Sequence, residues 1–66
     1  QRFDTLTPRE REVMTLLVTG RMNKQIASDL GTSEITVKVH KRHIMTKMQA
    51  RTLIDLVKMR EQLVLI

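Results

Sequence analysis

Residues 32–48, TSEITVKVHKRHIMTKM, admit two incompatible conformations. Ile35, Val37 and Val39 alternate with Thr36, Lys38 and His40, as in a half-buried strand. At about 100° per residue, however, Val37, Lys41, Ile44 and Met48 fall within about 60° of one another on a helix. The alternation stops at Val39, whereas the helical pattern persists to Met48. Ser33 suits an N-cap, and Glu34 suits the positive end of the helix it opens. The spacing therefore predicts a helix from about Glu34 to Met48. Its outward face reads Ile35, Lys38, Val39, Arg42, Thr46 and Gln49. Alkyl groups beside cations suit a surface that meets base edges, where Val39 would touch a thymine methyl and cations would reach guanine.

Immediately upstream, MNKQIASDLG predicts a shorter helix from about Asn23 to Leu30. Asn23 would cap it, Ile26, Ala27 and Leu30 give a narrow apolar face, and Gly31 ends it. A helix this short does not persist alone and must be held by its neighbours. Gly31, Thr32 and Ser33 join the two helices, so the corner between them is sharp. Ala27 is small enough for close approach of two helices. Gly31 follows four residues later, and Val37 is a branched apolar residue facing back. Those offsets match a helix-turn-helix.

Further upstream, LTPREREVMTLLVTG predicts a helix from about Pro8 to Thr19. Thr7 and Glu10 are spaced as a capping box, Pro8 fits the first helical position, and Gly20 terminates the run. Leu6 precedes the cap, where it can staple onto the first turns, and Val13, Leu16 and Leu17 form the apolar side. Glu10 and Glu12 read as exposed, with capping as the role of the first. Downstream, RTLIDLVKMREQLVLI predicts a fourth helix. Thr52 and Asp55 would start it, and Leu53, Leu56, Val57 and Leu63 would form its apolar face. The terminal LVLI either closes the core or offers a partner surface. The expected fold is all-α: one four-helix helix-turn-helix domain over residues 1–66, its third helix the recognition helix, with residues 1–5 a linker remnant. A chain beginning at Gln1 suggests a piece of something longer.

Composition narrows the function. A chain of 66 residues buries about 60% of its unfolded surface, so it needs efficient packing. Five Met, one Phe and no Trp or Tyr suit a helical core better than a sheet. The absence of Cys removes disulfides, thiolate zinc ligands and a thiol nucleophile. No apolar run approaches the roughly 20 residues of a membrane span, and no signal peptide begins the chain. The net charge of +5 is unevenly placed. Arg2, Arg9 and Arg11 balance Asp4, Glu10 and Glu12, whereas no acid lies between Glu34 and Asp55. Lys38, Lys41, Arg42, Lys47 and Arg51 fall in that interval with His40 and His43, a footprint suited to a phosphate backbone. The two histidines, three apart, lack a third ligand, so no metal or other cofactor is expected. No phosphate-cradling Gly-rich loop is present, and an enzyme is disfavoured. A membrane-surface role is disfavoured because the apolar stripe of the third helix is used for the core. RNA binding is disfavoured because Phe3 is the lone aromatic available for stacking.

LTPREREV, then Gly20, then NKQIASDLGTSEITVKVHKRHIMTKM and Arg51-Thr52, together resemble the LuxR-type (FixJ/NarL/GerE) DNA-binding domain. The resemblance spans about Leu6 to Val57. It implies a bacterial transcription regulator with its third helix in the major groove of double-stranded DNA and its fourth in a homodimer interface. By that resemblance Lys38, Val39 and Arg42 face bases. Thr36, His40 and Lys47 lie near phosphates, as do Asn23 and Lys24. Leu53, Val57, Arg60 and Val64 would line the dimer contact. The resemblance further implies a cytoplasmic output domain behind a receiver or other sensor, as in two-component response regulators, with RNA polymerase a further partner. A promoter-recognition region of a sigma factor shares the helix-turn-helix but is expected in a longer, differently charged chain. Met22 departs from the family pattern, which often has a small polar residue there, and Gln49-Ala50 replaces a more usual turn before the fourth helix.

Overall fold

The computed structural model describes residues 2–65, with side chains described for residues 4–61. A 3-10 turn (Arg2–Thr5) leads into α1 (Pro8–Val18), α2 (Asn23–Leu30), α3 (Glu34–Met48) and α4 (Leu53–Leu65). No strand occurs among the described residues.

Short-range polar bonds set where each helix begins. At α1, Glu10 N–H donates to Thr7 Oγ1 (3.2 Å) while Thr7 N–H donates to Glu10 Oε1 (2.9 Å), a reciprocal capping box. At α3, Thr36 N–H donates to Ser33 Oγ over 3.1 Å. At α4, Asp55 N–H donates to Thr52 Oγ1, and Asp55 Oδ2 accepts from the N–H groups of both Arg51 and Thr52. The start of α2 differs from the sequence expectation. Asn23 is its first helical residue, and the N-cap is Met22, whose side chain has no oxygen to offer the helix. Gln25 Oε1 accepts from Met22 N–H over 3.0 Å, so one arm of the box remains.

The helix ends are equally local. Arg21 N–H reaches Leu16 O and Gly20 N–H reaches Leu17 O, with Gly20 at φ +90°, closing α1 in a Schellman motif. Gly31, at φ +66°, closes α2 in the left-handed conformation and turns the chain into α3. A Cβ there would meet nothing within 4 Å, so the demand for glycine is conformational and not steric. Gly31→Ala is expected to lower stability by about 1–2 kcal/mol, visible as a reduced urea midpoint at unchanged slope. A midpoint equal to wild type would contradict that account. At the end of α3 the same conformation falls to Gln49, φ +55°, a strained choice for a residue that is neither Gly nor Asn. The turn delivers Ala50 into the interior.

Between these ends α3 packs on both α1 and α2, α4 rests on α1, and the 3-10 turn lies against α3. The core consists of Leu6, Val13, Met14 and Leu17, then Ile26 and Ala27, then Val37, Ile44 and Met48, closed by Ala50 and Leu56. Burial of each large side chain contributes about 1.5–3 kcal/mol, set against the ordering entropy of a small chain. Met14 is fully buried although the sequence pattern did not single it out, and Leu16 is half-buried. On α4 the expected apolar face is corrected. Leu56 is buried and Val57 half-buried, but Leu53 is exposed, and Met59, which the pattern did not single out, packs against the core instead. Leu63 lies outside the residues with described side chains.

Candidate nucleic-acid interface

Burying Val37, Ile44 and Met48 fixes the rotation of α3 about its own axis, and with it what the helix shows to solvent. Lys38, Val39 and Arg42 emerge together on the exposed side, with Ile35 and Thr46 above and below them. Val39 is 45% exposed and Ile35 75%, so this face carries alkyl groups that the core does not use. The three residues expected to read bases therefore form one contiguous strip.

The residues expected near phosphates are more dispersed. Thr36 and His40 flank the strip half-buried. The Thr36 hydroxyl lies 2.9 Å from Ser33 Oγ, so it is held by the cap. His40 turns Nδ1 into the interior with no hydrogen-bond partner, which leaves Nε2 as the nitrogen for an outside acceptor. Asn23 and Lys24 stand at the first turn of α2, where free backbone N–H groups and the helix dipole favour an anion. Asn23 is half-buried and Lys24 exposed.

Lys47 takes a partner that the sequence reading did not assign to it. Its Nζ donates to Glu10 Oε1 over 2.7 Å, and Glu10 is only 3% exposed. Glu10 is thus no exposed acid. It stands on the buried side of α1 with Val13, Met14 and Leu17, and His43 Nδ1 approaches its second oxygen at 3.7 Å. Burial alone pushes this carboxyl up. The hydrogen bonds from Lys47 Nζ and Thr7 N–H, with the charges of Lys47 and His43, outweigh burial and hold it below the ordinary value of 4.5. One carboxylate therefore closes the α1 cap and tethers the far end of α3. A signal was available: Glu10 sits three, four and seven residues before Val13, Met14 and Leu17, on the apolar stripe. A carboxylate there requires a cation from elsewhere.

On α4, Leu53, Val57 and Arg60 recur at helical spacing, Leu53 exposed and the other two half-buried, while Val64 lies outside the residues with described side chains. Ile54, 67% exposed, extends that surface and was missed. No helix among the described residues is long and apolar enough to cross a membrane.

Residues 4–64 match the family described as bacterial regulatory proteins, luxR family. Nodulation protein W of Bradyrhizobium diazoefficiens is 57% identical over 61 residues, which cover 92% of this chain and 27% of that protein. The transcriptional regulatory protein FixJ of Rhizobium meliloti is 48% identical over 58 residues, 88% of this chain and 28% of its own length. The response regulator protein TodT of Pseudomonas putida is 41% identical over 63 residues, 96% of this chain and again 28% of the relative. The chain thus spans little more than a quarter of each. The solved structure of the response regulator StyR superposes with a TM-score of 0.92 at 50% identity, covering 94% of this chain and 31% of that one. Family match, fold and helix-turn-helix corner agree, and this chain belongs to the luxR family of bacterial regulatory proteins, carrying that family's DNA-binding transcription-regulator domain, which is not an enzyme.

Proposed function

We propose that α3 lies in the major groove of double-stranded DNA and reads sequence there. The observation that carries this reading is the exposed strip of Lys38, Val39 and Arg42, opposite the stripe that anchors α3 to the core. Lys38 and Arg42, one turn apart, reach acceptors on guanine edges, while Val39 contacts a thymine methyl. Asn23 and Lys24 at the start of α2, Thr36, and His40 through Nε2 set the docking height on the phosphates. Lys47 contributes less to the salt dependence than its charge suggests, because Glu10 already offsets it.

A second copy pairs through Leu53, Val57, Arg60 and Val64 of α4, so that the dimer meets two half-sites. In the longer protein, the domain serves as the cytoplasmic output of a receiver or sensor module, with RNA polymerase as the further contact. The names of the relatives, response regulators among them, support this placement.

Selection of bound sequences from a randomised duplex pool tests the reading. An enriched motif, with its half-site spacing, is the expected result. Salt-sensitive binding without enrichment would reduce α3 to an electrostatic surface and favour an acidic protein partner. Arg42→Ala is expected to cost about 1–3 kcal/mol on the selected site and to relax preference at one base pair. Unchanged preference at every position would make Arg42 a phosphate contact.

A further inference from the structure

Ile35 is the most exposed large apolar side chain on α3, at 75%, and nothing in the packing requires it. It occupies the second position of the helix, where a β-branched residue is a poorer helix former than alanine. One turn later Val39 is also exposed, and the two fall within about 40° of each other around the helix axis. Arg42 lies about 20° and Lys38 about 60° around the axis from Ile35, both on the side away from Val39, so the two cations border the alkyl pair along one edge. The result is a short alkyl ridge inside a cationic face, on a helix whose last acid is Glu34.

Resting on the DNA-binding reading above, we infer that Ile35 and Val39 act as a paired methyl reader, and that the half-site carries two thymines whose C5-methyl groups they contact. Three physical features favour that occupant. The surrounding charge suits a polyanion and disfavours a purely apolar partner. In a helix-turn-helix, the N-terminal residues of the second helix reach base edges, which brings Ile35 to the groove floor. Both side chains are β-branched and stiff at χ1 in a helix, so they present methyl groups with little rotamer freedom left to lose. Residues four apart rise about 6 Å along the helix. With bases stacked about 3.4 Å apart, the two methyl groups lie at most about two base pairs from each other. Ile35 is then a specificity residue in its own right.

The test uses the duplex selected by the wild-type domain. Each thymine of the half-site is replaced singly by deoxyuridine, which removes the methyl and keeps the pairing. Two positions, no more than about two base pairs apart, are expected to lose roughly fourfold in affinity, the value of one buried methyl-sized group. Ile35→Ala should become indifferent to the methyl at one of them while retaining sensitivity at the other. Val39→Ala should show the reverse, and Ile35→Val should keep most of the wild-type response. Both positions are exposed, so circular dichroism melting should show all three variants folded. If the selected site binds specifically but deoxyuridine has no effect, or Ile35→Ala keeps its full response, the methyl reader is overturned and the DNA-binding reading stands. If no sequence is selected at all, that reading fails and the methyl reader falls with it.

Discussion

Replacing Lys38, Val39 and Arg42 together by alanine is expected to remove most of the sequence preference while leaving the domain folded. Specific sites of such proteins are typically bound about 10³–10⁷-fold more tightly than random DNA, and each mismatched base contact costs about 1–3 kcal/mol. Removing all the base contacts of the strip should therefore cost at least about a hundredfold on the selected duplex. Binding to random duplex should fall far less, because Lys24, Lys41 and Arg51 remain. Folding should be intact or improved, since none of the three side chains is part of the core and alanine is the better helix former. Competition between selected and scrambled duplexes, read beside thermal melts, separates the two effects. A triple variant that prefers the selected duplex as strongly as wild type does would remove these three side chains from base reading.

The second large effect is on stability. Lys47→Met is expected to lower the unfolding free energy by about 1–3 kcal/mol, as measured by urea denaturation. Stripping a partner from a fully buried pair costs about 3–5 kcal/mol. The Lys47 side chain is 34% exposed, so solvent already screens part of the interaction and the figure is reduced. Combining Lys47→Met with Glu10→Gln should recover part of the loss, because glutamine keeps an oxygen for Thr7 N–H without a buried charge. Additive losses in that double variant would show that the two groups do not act as a pair.

The same ion pair sets a pH dependence. Glu10 has a carboxyl held below its ordinary value in the folded state, so its contribution is fully present above the unfolded value of 4.5. It fades as the pH falls through the lower folded value. Wild type should therefore exceed Glu10→Gln in stability at neutral pH, and the gap should narrow as the pH falls below the ordinary value of 4.5. A gap that stays constant into acid would disconnect the carboxylate from stability.

The exposed strip of Lys38, Val39 and Arg42 was legible in the sequence because it follows from rotation alone. Once Val37, Ile44 and Met48 face inward, the period of the helix leaves Lys38, Val39 and Arg42 no other direction. Ile35 was legible as outward-facing for the same reason, and it is 75% exposed. The partner of Lys47 was not legible for a related cause. The family resemblance implies a phosphate contact for Lys47, and its side chain also meets Glu10, 37 residues away in sequence. On α4 the pattern offered more apolar residues than the core could take. Leu56 is buried, while Leu53 and Ile54 are left outside.

What the chain determines by itself are the limits of its helices. Thr7 with Glu10, Ser33 with the N–H of Thr36, and Thr52 with Asp55 close over three residues, and Gly20 and Gly31 supply backbone conformations other residues resist. Those interactions form within one turn and need no tertiary partner. Met22 at the start of α2 marks the exception, where the strong capper Asn23 sits one residue too late and packing carries the helix. The tertiary structure alone decided which charges face inward and which apolar side chains stay outside. The Glu10–Lys47 pair exists because α1 and α3 pack together where the Lys47 side chain, one-third exposed, reaches the buried Glu10 carboxylate, and among the described residues Ile35 and Val39 stay exposed. Crossing positions depend on how whole side-chain surfaces interlock, a property of pairs of helices that no short stretch of sequence contains.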